Sequence, residues 1–152
     1  MSPEKGEGKN EIHQVVRGIL VTIDGFVGIG RRTAGTYEGG KWCLVGGKAE
    51  KSDLNSEVLR EIQEETGMPN ETLTDDRPVF IGSPDRIRKG VTYRNNYFIL
   101  EIDDEWVPEI LKRFERREFD QIAFVTQEDL KGLRFAFGDG KIVRSFFKMV
   151  GR

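Results

Sequence analysis

Residues 60–68 read Arg60-Glu61-Ile62-Gln63-Glu64-Glu65-Thr66-Gly67-Met68. On a helix turning about 100° per residue, Glu61, Glu64 and Glu65 share roughly one third of the circumference, with Arg60 at the border. Val58, Leu59 and Ile62 take the opposite side, which predicts an amphipathic helix whose polar face is almost wholly carboxylate. Like charges three and four residues apart cost a helix roughly 0.2–0.5 kcal/mol per pair, so the crowding works against local stability and calls for a cation. Hard divalent ions such as Mg²⁺ or Mn²⁺ suit this need, because they take oxygen ligands from a few carboxylates and from substrate phosphates. Most Glu-rich helix faces are merely solvated, and only the preceding segment argues otherwise here.

That segment runs Trp42-Cys43-Leu44-Val45, a short apolar stretch expected as a buried strand, into Gly46-Gly47-Lys48-Ala49-Glu50. A loop and an Asp/Asn/Ser-rich helix start follow at residues 52–56, the helix is expected over 54–66, and Gly67 supplies its stop. The succession of strand, glycine turn, loop, acidic helix and glycine resembles the Nudix box, Gly-x5-Glu-x7-Arg-Glu-U-x-Glu-Glu-x-Gly-U with U apolar. Arg60, Glu61, Ile62, Glu64, Glu65, Gly67 and Met68 fit it position for position. In front the fit is looser. Counted from Gly47, the first acid falls on Asp53 and the loop is one residue short, while Ser52 holds the place eight residues before the arginine. Asp53 is therefore expected to take over as the first acid, with Glu50 or Glu57 as help. Val45 stands where many members have proline, and Glu57 where the family usually has a small residue.

The resemblance implies an α/β protein, an α/β/α sandwich around a mixed β-sheet, and hydrolysis of a diphosphate linkage with Mg²⁺ or Mn²⁺. It assigns the metal to Glu61, Glu64 and Glu65, a catalytic part to Glu64, and the orientation of those carboxylates to Arg60. The Gly46-Gly47 pair would let backbone approach the phosphates without obstruction. The family adds an acid from a variable loop, which resemblance alone does not place. Glu115, Glu118 and Asp120 are the candidates, and Glu118, just before a strand and reached by a charged loop, is the choice as general base. Arg31 and Arg32 follow a strand and suit phosphate oxygens by their forked donors. Tyr37, Tyr93, Phe135 and Phe137 are candidate stacking partners for a base, with only Tyr37 expected to be exposed.

Size and charge bound the rest. A chain of 152 residues can bury a core as one domain, here expected over 12–152 behind a frayed polar leader at 1–11. With 33% charged residues and a net charge of −2, a general attraction to nucleic acid is not expected. No apolar run approaches the roughly 18 residues that span a membrane, no signal-peptide core is present, and cytoplasm is the expected address. The single cysteine excludes an internal disulfide, and Cys43 between Trp42 and Leu44 reads as a small core residue. Further strands are expected at 15–24, 26–30, 78–82, 91–103 and 121–126, with 83–90 as a loop, 108–117 as a short helix or loop, and an amphipathic helix over 139–150.

The expected substrate is a small-molecule nucleotide: ADP-ribose, a nucleotide sugar or a nucleoside triphosphate. The rivals are an RNA 5′-end pyrophosphohydrolase, which the net charge disfavours, and a non-catalytic Nudix-like module that binds a nucleotide or protein. A homodimer stays open.

Overall fold

The apolar run beginning at Val15 forms the spine of the molecule. In the computed structural model, which describes residues 11–69 and 77–151, strand β1 (Ile12–Thr22) lies parallel to β7 (Val91–Ile102) from Ile12↔Thr92 to Thr22↔Ile102. The other edge of β1 is shared. Its first half pairs antiparallel with β4 (Val45–Lys48) and its end with β2 (Val27–Arg32). β2 continues to β3 (Trp42–Cys43) and β8 (Phe119–Val125), while β7 carries β5 (Val79–Gly82) and β6 (Asp85–Arg88). One parallel pair among antiparallel ones makes the sheet mixed, as expected.

Alternation along β1 sends its side chains to two separate cores. Val16 and Leu20 face helix α1 (Leu54–Thr66), through Val58 and Ile62, and helix α2 (Val107–Arg113), through Ile110. Ile19 faces the opposite way, onto Val143, Phe146 and Phe147 of helix α3 (Asp139–Met149). The molecule is thus an α/β/α sandwich. Gly18 sets how closely α1 can approach, since a Cβ there would stand 3.1 Å from the Ile62 and Leu100 methyl carbons.

Two cores from one strand leave Arg17 pointing into the α3 side, where it is 7% exposed. Its counter-charge is the fully buried Asp139, 3.7 Å away at the start of α3. Asp139 also accepts hydrogen bonds from the Tyr97 hydroxyl and, at 2.9 Å, from the Leu44 N–H, which ties β7, β1, α3 and the chain between β3 and β4 together. Burial of Tyr97 beside that carboxylate pushes its phenol up, and burial pushes the Cys43 thiol up to about 12, so Cys43 stays an inert core thiol.

The structure departs from the sequence reading in two places and decides between helix and loop in a third. The segment expected as a loop at 83–90 contains β6, joined to β7 by a Lys89-Gly90 turn with φ of 53° and 81°. Those angles suit the two-residue turns that match strand twist. The Gly46-Gly47 pair lies within β4 and not in a turn. The charged segment at 108–117 resolves into α2, with Pro108 in its first turn, where a missing N–H costs nothing. The expected leader at 1–11 lies almost wholly outside the described residues. Among the described residues, no helix is long and apolar enough to cross a membrane.

Candidate active site

Helix α1 opens at Asp53, whose carboxylate accepts from the Ser56 N–H at 3.4 Å and the Ser56 hydroxyl at 2.9 Å. It closes at Gly67, at a φ of 74° with its N–H bonded to the Gln63 carbonyl. A side chain at Gly67 would also strike the Arg113 carbonyl of α2, 2.8 Å from a built Cβ. Between these ends the buried face carries Val58, Ile62 and Thr66 together with Glu57, Glu61 and Glu65. This differs from the face expected of a solvated acidic stripe. Two of the three assigned metal ligands, Glu61 and Glu65, turn toward β4, and only Glu64 stays in solvent.

The β4 glycines make that possible. The Gly46 N–H donates to the Glu65 carboxylate at 2.9 Å, and a Cβ on Gly46 would lie 2.0 Å from the Val16 carbonyl oxygen. A Cβ on Gly47 would stand 2.6 Å from the Glu61 carboxylate. Burial raises both carboxyl pKa values, that of Glu65 strongly. The charges of Glu61 and of Glu118 add to the shift at Glu65, and Arg60 opposes it at Glu61. Two buried carboxylates side by side, with the charge of a third acid on them, resist ionising together.

Arg60 gathers the remaining acids. Its guanidinium donates to Glu57 at 3.0 and 3.3 Å and to Glu64 at 3.0 Å, and lies 3.1 Å from the Glu61 carboxylate. Glu57 in turn accepts from the N–H groups of Glu50 and Lys51, and the Arg60 contact holds its carboxyl down at about 2. The loop from β4 to α1 is thereby fastened to Arg60 by Glu57. Asp53 caps the helix instead, which corrects its expected role as the first acid. Ser52 stands eight residues before Arg60, the distance at which the family pattern has its first acid. Serine simply occupies the first acidic position, and the missing charge comes from Glu57 one turn before Arg60.

An expected outcome follows. Glu57→Gln lowers kcat/KM about tenfold through loss of a charge-assisted clamp on Arg60. Asp53→Asn, which preserves a good helix cap, and Ser52→Ala leave it within about twofold. Steady-state kinetics with melting curves check this; a larger loss for Asp53→Asn than for Glu57→Gln would refute it.

Of the three loop acids, Glu115 bonds Arg117 through both its carboxylate oxygens and Asp120 pairs with Arg31 at 2.7 Å. Glu118 has only a 3.5 Å contact to Arg32 and is the one whose charge reaches Glu61 and Glu65. Arg31 stands over Trp42, turned to Asp120 and away from the acids of α1. Arg32 donates to the Tyr37 carbonyl at 2.7 Å and lies over Phe137, and both Tyr37 and Phe137, with Gly47 and Lys48, line a cavity of about 280 Å³. Tyr37, half exposed, lines that cavity. So do Arg17, Arg86, Arg88 and Asn95, none of which the sequence reading had singled out as site residues.

The family model of the NUDIX domain matches residues 12–146. The chain belongs to the Nudix family. No curated protein matches it by sequence. Among solved structures, a MutT protein from Methanosarcina mazei Go1 is 18% identical with a TM-score of 0.66, covering 93% of this chain and 96% of that one. The E. coli ORF135 protein is 19% identical with a TM-score of 0.69, covering 92% of this chain and 91% of that one. An Ap4A hydrolase from C. elegans is 14% identical with a TM-score of 0.68, covering 91% and 98%. These likenesses establish the scaffold.

Proposed function

We propose that this Nudix domain is a divalent-metal-dependent pyrophosphohydrolase acting on a nucleoside diphosphate derivative. The observation that carries the reading is the pair of buried carboxylates, Glu61 and Glu65, packed on two glycines of β4 with Arg60 at the Glu61 edge. Among the described residues, no three acidic, histidine or cysteine side chains converge to a finished metal cage. That suits Mg²⁺, which is bound through one or two carboxylates and completes its shell with water and substrate phosphate. Glu61 and Glu65 would hold the ion with Glu64 at the rim. When bound, it supplies charge withdrawal from the phosphoryl oxygens and acidifies a coordinated water.

The protein's own groups supply the rest. Arg60 keeps Glu57, Glu61 and Glu64 oriented, the Gly46-Gly47 backbone leaves an unobstructed approach, and Glu118 would take the proton of the attacking water, a role supported by its charge reaching Glu61 and Glu65. The C. elegans neighbour, by its name, hydrolyses Ap4A, a phosphoanhydride, which agrees with the class of linkage proposed. The net charge of −2 counts against long RNA ends as substrate. Products separated by chromatography, from nucleoside triphosphates, ADP-ribose and nucleotide sugars with Mg²⁺, Mn²⁺ or EDTA, test the proposal. Cleavage at a phosphoanhydride that vanishes in EDTA is expected; no product from any of them with either metal overturns it.

A further inference from the structure

Four cationic side chains stand among the apolar and aromatic groups that line the cavity beyond Gly47. Arg17 forms its floor, Arg86 and Arg88 come from β6, and Lys48 stands at the edge toward the acidic helix. No acidic side chain lines it among the described residues. Asp139 lies behind Arg17 and Glu38 is near enough to interact with Arg86, which leaves Lys48 and Arg88 as the chamber's excess positive charges.

Arg17 is 7% exposed, and its Nε finds no hydrogen-bond partner among the described residues. That Nε lies 3.7 Å from Asp139 Oδ1, within ion-pair reach but beyond hydrogen-bond distance, so the guanidinium is held there by charge and not by a hydrogen bond. Arg86 and Arg88 form no ion pair within 4.0 Å among the described residues, whereas Arg94 on the neighbouring strand is fixed to Asp85 at 2.8 Å. The alternation of β6 points Arg86 and Arg88 the same way.

The aromatic rings around the chamber are already occupied. The Arg88 guanidinium lies 3.7 Å above the centroid of Tyr37, and Arg17 and Arg32 lie 4.2 and 4.9 Å from that of Phe137. His13 meets Tyr93 edge-on at 5.3 Å. Tyr37 and Phe137 therefore act as platforms for guanidinium groups, not as free faces for a base. A guanidinium stacked flat on a ring keeps its in-plane N–H fork available, in the arrangement that matches phosphate oxygens.

We propose that this chamber binds a phosphate group of the substrate additional to the linkage at the acidic helix, so that the preferred substrates are nucleoside triphosphates and longer oligophosphates over nucleotide sugars and ADP-ribose. The inference deepens the hydrolase reading and rests on it for the word substrate, but its binding claim stands apart from turnover. A nucleotide sugar brings only the charges of its diphosphate. An oligophosphate brings at least one further phosphate to a pocket whose exposed Arg86 and Arg88 have no acidic partner within 4.0 Å among the described residues.

The test has two arms. In EDTA, titration calorimetry with inorganic tripolyphosphate is expected to show one site. Arg88→Gln and Arg86→Gln, both on the exposed edge strand, each weaken it about tenfold or more, the scale of one charge-assisted hydrogen bond. Lys148→Gln, which removes the same charge from the far surface of α3, leaves it unchanged. Arg17→Met is expected to abolish binding; its melting curve shows whether the fold persists, and the β6 variants carry the test if it does not. With Mg²⁺, kcat/KM for a nucleoside triphosphate is expected to exceed that for ADP-ribose at least tenfold, and the ratio falls in Arg88→Gln. Tripolyphosphate that binds the β6 variants as well as wild type, or a wild-type preference for ADP-ribose, overturns the inference. Absence of any turnover overturns the hydrolase reading alone and leaves the calorimetric arm to decide this one.

Discussion

Glu65→Gln is expected to lower turnover at least ~100-fold, the scale on which a positioned charge acts on phosphoryl chemistry, while making the metal-free protein more stable. The amide keeps an oxygen for the Gly46 N–H, so the helix and β4 stay in register. What disappears is one buried negative charge beside Glu61. Glu65 has its folded pKa raised well above the ordinary carboxylate value, first by burial and then by its acidic neighbours. A carboxylate raised in this way binds its proton more tightly when folded, so its contribution favours the fold at low pH and is lost as pH rises through the folded pKa. In EDTA the wild type should therefore gain stability on mild acidification from neutrality. Glu57 opposes this further down: its pKa of about 2 means that its contribution is present above the unfolded value near 4.3 and is lost as pH falls toward 2. The metal-free wild type should then show a stability maximum in the weakly acidic range. Glu65→Gln flattens its alkaline side. Mg²⁺ should raise the melting temperature of the wild type, through its preference for the folded state, and do so much less in the variant. Near-normal turnover in Glu65→Gln, or an undiminished Mg²⁺ shift, would remove Glu65 from the site.

Helix α1 was legible because its signals are local. An Asp cap, a Gly stop and an apolar row at helical spacing all lie within the segment they define. The two-sided burial of β1 was legible for the same reason, from the apolar run after Val15. The placement of the carboxylates was not. Nothing in Glu61, Glu64 and Glu65 as a string says that two of them are buried and one is free. That follows from β4 laying Gly46 and Gly47 against the helix, a contact made by tertiary packing. Glu57 was seen as an oddity at a small-residue position, and its bond to Arg60 explains it.

The basic chamber was hidden for other reasons. β6 pairs only with β7 and buries none of its residues, so Asp85-Arg86-Ile87-Arg88 has no apolar alternation to announce a strand. Its one local sign was the Lys89-Gly90 pair, a hairpin signature. Arg17 carried a clearer hint. A charge inside an otherwise apolar strand must have a partner or a ligand, and its partner, Asp139, comes from the opposite end of the chain. Only the fold brings them together.

Glu118→Gln is the variant expected to be most severe, with a loss of about 10²–10⁴ in kcat and little change in KM, if the side chain takes the proton from the attacking water. Its surroundings set it apart from the neighbouring acids. Glu115 is neutralised by Arg117, with its carboxyl held below the ordinary range by those bonds. Asp120 is neutralised by Arg31. Glu118 keeps one long contact to Arg32, is 41% exposed at its side chain, and sits at the mouth of β8 with its backbone held by Thr33 and Glu115. A fixed backbone with a movable carboxylate is what a base needs if it is to reach a water over the acidic helix and withdraw as product leaves. Removing its negative charge also relieves Glu61 and Glu65, so Mg²⁺ binding in Glu118→Gln should persist, whereas in Glu65→Gln it should fail. The pair of variants thus separates proton transfer from metal holding by calorimetry with Mg²⁺ alone. If Glu118→Gln keeps its turnover while Asp120→Asn or Glu115→Gln loses it, the base is the neighbour. If all three stay active, a carboxylate of α1 must activate the water.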